Sequence, residues 1–110
     1  MKTMQLCRIK TPAEWLALRK LYIKSFPKYE RKPLWLVWRV MKQNKADVWV
    51  AKDGKTFAGL AITMNGADLV LLDYLAVSEA LRGTGVGTKI LRCLQQIYQE
   101  KRFFLEIENF

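Results

Sequence analysis

Histidine is absent from the 110 residues, which removes imidazole as a general base, as a nucleophile's partner and as a metal ligand. Only two cysteines are present, Cys7 and Cys93, far apart and without a CxxC pair, so a zinc site and a dithiol redox motif both lack their ligands. Two buried thiols are expected, and no metal. The longest near-continuous apolar stretch covers residues 69–77 and is broken at Asp73, well short of the roughly 20 residues that a membrane helix needs. No apolar signal core follows the N-terminus, which predicts a cytoplasmic protein that does not engage a membrane. Repeats, low-complexity tracts and Ser/Gly linkers are missing too, so residues 1–110 read as one domain. With 51% hydrophobic and 26% charged residues, the chain can close a core of its own without staples.

Acidic residues are scarce in the first part of the chain. Residues 1–45 hold twelve Lys and Arg against Glu14 and Glu30, a net charge of +10, while residues 46–110 come to −1. Such a field draws nucleic acid, an acidic partner or a polyanionic cofactor. The cations are scattered rather than run together, and neither interleaved aromatics nor a helix-turn-helix signature accompanies them, so a nucleic-acid partner is not expected.

Residues 4–9 alternate weakly and predict a first strand. Thr11, Pro12 and Glu14 then carry a hydroxyl cap, a proline at the first helical position and an acid placed to return the cap bond. A helix follows to about Ser25, with Trp15, Leu18, Tyr22 and Ser25/Phe26 as its core stripe. Pro33 opens a second helix over Leu34–Lys42, so apolar that it is either buried on two sides or lines a cleft with Trp35 or Trp38 facing a substrate. Residues 47–52 and 56–64 read as a hairpin turning at Gly54. Residues 67–77 form the most apolar strand, expected at the centre of the sheet. A helix over 87–101, with Ile90, Leu91, Leu94, Ile97 and Tyr98 inward, and a strand over 103–108 complete the order β-α-α-β-β-β-α-β. That order belongs to a mixed α/β sheet.

Chemistry concentrates between the apolar strand and the last helix, where Arg82-Gly83-Thr84-Gly85-Val86-Gly87-Thr88 forms a glycine-rich turn. Backbone N–H groups at a helix start lack intrahelical partners and sit at the positive end of the dipole, so they cradle anions. Arg82 adds a guanidinium fork for phosphate and Thr88 a hydroxyl. A Walker loop would end in Gly-Lys-Ser/Thr, but here Thr88 precedes Lys89. A Rossmann fingerprint would read GxGxxG directly after a strand, whereas these glycines read GxGxG five residues beyond Val77; only Glu106 and Glu108 fit its ribose-binding acid.

Arg82 to Gly87 instead resembles the R/Q-x-x-G-x-G/A pyrophosphate motif of the GNAT-type N-acetyltransferases, and Leu75-Ala76-Val77 resembles the strand end before it. The resemblance implies a sheet splayed open between residues 67–77 and 103–108, with acetyl-coenzyme A in the split. The strand end Leu75-Ala76-Val77 would take the pantetheine arm through the backbone of Leu75 and Val77. The amides of Gly83, Thr84, Gly85, Val86, Gly87 and Thr88, with Arg82, would hold the pyrophosphate. An amide near Leu75 would polarise the thioester carbonyl for direct attack by a primary amine. A carboxylate must take that amine's proton. Asp73 is the candidate, and strict alternation would set it on the side of Leu71, Leu75 and Val77, although the family's base on this strand aligns with Leu71. The same Asp73 also reads as a structural, hydrogen-bonded acid. Glu106 and Glu108 are candidates for binding a cationic acceptor or are a solvated strand face. The family's usual fold continues with a helix and two further strands that this sequence does not contain. A homodimer joined along the last strand is therefore expected, as is the alternative of a module that binds coenzyme A with little turnover.

Overall fold

The computed structural model describes residues 4–105. Five strands form one sheet in the order of the chain: β1 (Met4–Arg8), β2 (Ala46–Asp53), β3 (Thr56–Asn65), β4 (Leu69–Val77) and β5 (Arg102–Leu105). The first four are antiparallel neighbours, and β5 runs parallel to β4. Helices α1 (Pro12–Ser25) and α2 (Leu34–Lys42) cover one face, and α3 (Val86–Ile97) covers the other. Among the described residues no helix is long and apolar enough to cross a membrane.

Each face has its own core. Leu18, Leu21 and Tyr22 of α1 and Val37 of α2 pack on Val48, Val50, Leu60 and Ile62; Val86, Ile90 and Leu94 of α3 pack on Trp49, Ala51, Ala61 and Val70. The central strand is β3, buried on both faces, and not β4, which is interior but next to last. Small residues let β3 sit there. A Cβ at Gly59 would stand 2.6 Å from the Ala76 carbonyl of β4, a contact that backbone cannot relieve by a side-chain shift.

Three further expectations need correction. The last helix stops at Ile97 instead of running to 101, because Tyr98 is held by the sheet: its hydroxyl donates to Asp47, meets Thr63 Oγ1 at 3.0 Å and accepts Trp49 Nε1–H at 3.1 Å. Ile97, expected inward, is 45% exposed as a result. Cys7 and Cys93 are free thiols as expected, but they are half-buried rather than buried.

The alternation of β4 breaks at Asp73. Ile62 faces Tyr74 while the next residue, Thr63, faces Leu72, so Asp73 is an extra residue on β4, a bulge. Val70 and Leu72 before it pack on the α3 face, whereas Tyr74 and Ala76 after it pack on the α1 and α2 face. Leu75 and Val77 thereby share the α3 face, and the strict alternation that put Leu71 on the same side does not hold.

Candidate functional site

Beyond the bulge, one edge of β4 is unpaired among the described residues. β5 accompanies β4 only over Leu69 to Leu72, so among the described residues no strand pairs with the β5 side of residues 73–77. The Ser78 N–H reaches the Ala58 carbonyl on β3 at 2.8 Å. Backbone groups alternate between the two edges of a strand, so those of Ala76 also face β3, while those of Leu75 and Val77 face the open side. There the Val77 carbonyl accepts from Arg82 Nε at 3.2 Å. The backbone of Leu75 and Val77 thus points away from β3, with the Val77 carbonyl taken by Arg82. Ala76 contributes a buried methyl and a rung to β3.

From Val77 the chain passes through a short 3-10 turn, Glu79–Leu81, to the glycine-rich turn. Gly83 and Gly85 adopt φ of 81° and 90°, a region that L side chains rarely enter, and this sets the sharp entry into α3. Thr84 closes the turn with its hydroxyl on the Leu81 carbonyl at 2.5 Å. No side chain caps α3. Its first N–H groups, up to Thr88, therefore lack acceptors within the helix. The contrast with α1 is informative, because there Thr11 and Glu14 form a complete capping box: the Glu14 N–H is closed by the Thr11 hydroxyl, the Thr11 N–H by the Glu14 carboxylate, and Pro12 has no N–H to satisfy. Gly87 is a second signal. Its φ is ordinary for a helix and a Cβ would meet only Val77 Cγ2, at 3.6 Å, so the fold itself does not demand a glycine. The missing side chain leaves open the space beside the uncapped amides, which fits a ligand that approaches the backbone closely. Arg82, Gly83, Thr84, Gly85 and Thr88 are exposed around that space, with Val86 buried beneath.

Asp73 lies at the near end of the open edge. Its side chain is only 8% exposed and forms an ion pair with Lys32. Lys32 is fixed in turn by two tyrosines: its N–H donates to Tyr74 Oη at 3.0 Å and its carbonyl accepts from Tyr22 Oη at 2.8 Å. Burial, reinforced by the neighbouring Tyr74, raises the Tyr22 pKa, which keeps that hydroxyl a donor. Tyr74 Oη donates onward to the Glu30 carbonyl at 2.8 Å. The loop between α1 and α2 is thus tied down at the bulge. Nothing in the sequence pattern pointed to Lys32, Tyr22 or Tyr74 as a group, since 41 residues separate Lys32 from Asp73.

Trp35 and Trp38 are 65% and 49% exposed on α2, so the helix is not buried on two sides. The cleft beside the Lys32 loop is lined by Leu34 rather than by either tryptophan. Glu106 and Glu108 lie outside the described residues.

A family model described as the acetyltransferase (GNAT) family matches residues 15–109. Among solved structures, an acetyltransferase described as putative and of that family, from Bacteroides thetaiotaomicron, is 21% identical with a TM-score of 0.80, over 96% of this chain and 61% of that one. The chain therefore spans about three-fifths of that protein's length. An aminoglycoside acetyltransferase from an uncultured soil metagenomic sample, in complex with sisomicin, aligns over 96% of this chain and 78% of that chain at 15% identity with a TM-score of 0.75. A GNAT family acetyltransferase from Elizabethkingia anophelis with acetyl-CoA bound aligns over 96% and 65% at 14% identity, TM-score 0.68. Structural likeness at such identities shows a shared fold. No curated protein matches the sequence.

Proposed function

Because the chain belongs to the acetyltransferase (GNAT) family, we propose that it transfers the acetyl group of acetyl-coenzyme A to a primary amine of an acceptor. The observation that carries this reading is the uncapped start of α3 beside the open backbone edge of Leu75 and Val77. When bound there, acetyl-coenzyme A would supply an acetyl thioester activated toward amines. The amides from Gly83 to Thr88 and the Arg82 guanidinium would hold its pyrophosphate, by charge-assisted hydrogen bonds and the helix dipole. The Leu75 C=O and the Val77 N–H would receive the pantetheine as an added strand, the Val77 carbonyl being held by Arg82. The Leu75 N–H would donate to the carbonyl oxygen on which charge develops. Asp73 would take the proton of the acceptor ammonium, which first has to displace Lys32 from the carboxylate.

Thermal denaturation with and without acetyl-coenzyme A tests the reading, since a ligand that binds only the folded chain raises its melting temperature. A clear upward shift is expected, reduced by Arg82→Ala and abolished by Gly87→Val, which fills the open space without straining the backbone. An unchanged melting temperature at millimolar ligand would overturn it.

The Lys32–Asp73 ion pair favours a second reading, in which the chain binds coenzyme A with little turnover because its base is already engaged. Release of free thiol in the presence of amines separates the two. A homodimer joined at β5 belongs to the proposal as well. Phe104 and Leu105 are 49% and 42% exposed there, and light scattering reads the mass directly.

A further inference from the structure

A cleft of about 340 Å³ opens between the C-terminal half of α1 and the loop that leads into α2. Arg19, Lys28, Arg31 and Lys32 line it, and no carboxylate does. Among the described residues, ion pairs engage Lys32 but none engages Arg19, Lys28 or Arg31. Tyr22, Pro33 and Leu34 supply an apolar floor. The rim is built rather than loose: the Arg31 side chain is anchored by Nη1 on the Ile23 carbonyl at 3.1 Å, and the Lys32 backbone by the two tyrosine hydroxyls. Lys32 connects this cleft to the proposed reaction edge, because its ammonium reaches out of the cationic group to Asp73 on β4.

We infer that the cleft is the acceptor's anion subsite, and that the acceptor is a zwitterion carrying a carboxylate or phosphate as well as its primary amine; this rests on the transferase reading above. The acceptor ammonium takes the place of the Lys32 ammonium on Asp73, and Lys32 turns to the acceptor's anion beside Arg19, Lys28 and Arg31. Asp73 and Lys32 then both keep a partner, which an acceptor without an anion would not achieve, because it would leave the displaced Lys32 ammonium unmatched. A polycation is repelled outright by four like charges. The inference therefore separates this chain from the aminoglycoside acetyltransferase of the same fold, whose structure is in complex with sisomicin.

Titration calorimetry on the full chain without coenzyme tests this, using O-phospho-L-serine, L-glutamate and spermidine at low and at physiological salt. Phosphoserine or glutamate is expected to bind at least tenfold tighter than spermidine, with affinity falling as salt rises. The stronger of the two identifies phosphate or carboxylate as the preferred anion. The Arg19→Gln/Lys28→Gln double variant, which leaves the Arg31 and Lys32 anchors in place, should lose at least tenfold while retaining its thermal shift with acetyl-coenzyme A. Equal or tighter binding of spermidine overturns the inference, as does anion binding that the double variant leaves unchanged. So does displacement of phosphoserine by 3′-phosphoadenosine diphosphate, which would make the cleft part of the coenzyme site. If acetyl-coenzyme A gives no thermal shift while the anion still binds, the transferase reading fails and the anion site stands alone.

Discussion

Tyr74 and Lys32 are joined across two elements: the hydroxyl on β4 accepts a hydrogen bond from the Lys32 backbone N–H at 3.0 Å and donates one to the Glu30 carbonyl at 2.8 Å. Tyr74→Phe leaves both backbone groups without that partner, at a cost of about 1–3 kcal/mol for buried polar groups. The melting temperature should fall by several degrees, and amide exchange at Lys32 should quicken. Unchanged protection at Lys32 would show that the loop is held by other means.

Tyr98 binds the end of α3 to three side chains of the sheet, and burial, aided by the acid Asp47, pushes its pKa up to about 12. Tyr98→Phe removes that hydroxyl. Urea unfolding at pH 7 should show a loss of roughly 1–3 kcal/mol. Burial alone would raise the Asp47 pKa, but hydrogen bonds from Tyr98 and Asn65 together with Arg8 outweigh it and lower the value; in the variant, the Asp47 pKa should move back up. Titration by NMR reads that movement.

Glu14 has its pKa lowered from 4.5 to about 2, first by the hydrogen bond from Lys52 at 2.5 Å and then by the N–H groups of Lys10 and Thr11. A carboxylate whose folded pKa is depressed adds stability above its unfolded value, and that stability is lost as pH falls through the folded value. The urea midpoint should therefore drop between about pH 4.5 and 2 through this group. Glu14→Gln should lower the midpoint at pH 7 and flatten that part of the profile. A variant with the same acid slope as the parent would rule Glu14 out as its source.

Gly59→Ala places a methyl against the Ala76 carbonyl, and the strands must part to admit it. Overpacking of this kind costs about 1–3 kcal/mol. Since Val77 faces Gly59 in the ladder, the acetyl-coenzyme A thermal shift should shrink along with the stability. Full retention of both would mean that β3 and β4 can move apart freely.

The order of elements was legible because its signals are local. Thr11, Pro12 and Glu14 announce α1, Gly54 announces the β2–β3 hairpin, and Gly83 to Gly87 announce the start of α3. The bulge was not legible, because Leu69 to Leu72 are apolar throughout and satisfy either phase of a strand whose two faces are both covered. The early end of α3 was hidden as well, since it depends on partners of Tyr98 that lie 33 to 51 residues away, Asn65 through Asp47 included. The glycine-rich turn before α3 could be read from the sequence, because Gly83 and Gly85 take the positive φ that glycine favours. The carboxylate opposite it could be named, but not its engagement with Lys32, which only the folded loop creates.

The bare start of α3 has a consequence for anyone who selects this protein for heat tolerance. Each helix normally gains from a side chain that closes its first turn, by roughly 0.5–2 kcal/mol. A screen that rewards only survival at high temperature will therefore favour substitutions near Gly85 and Gly87 that supply such a closure. Under the proposed function those winners would have closed the coenzyme's place, so thermostable descendants of this chain should be sorted by ligand response before they are ranked by melting temperature.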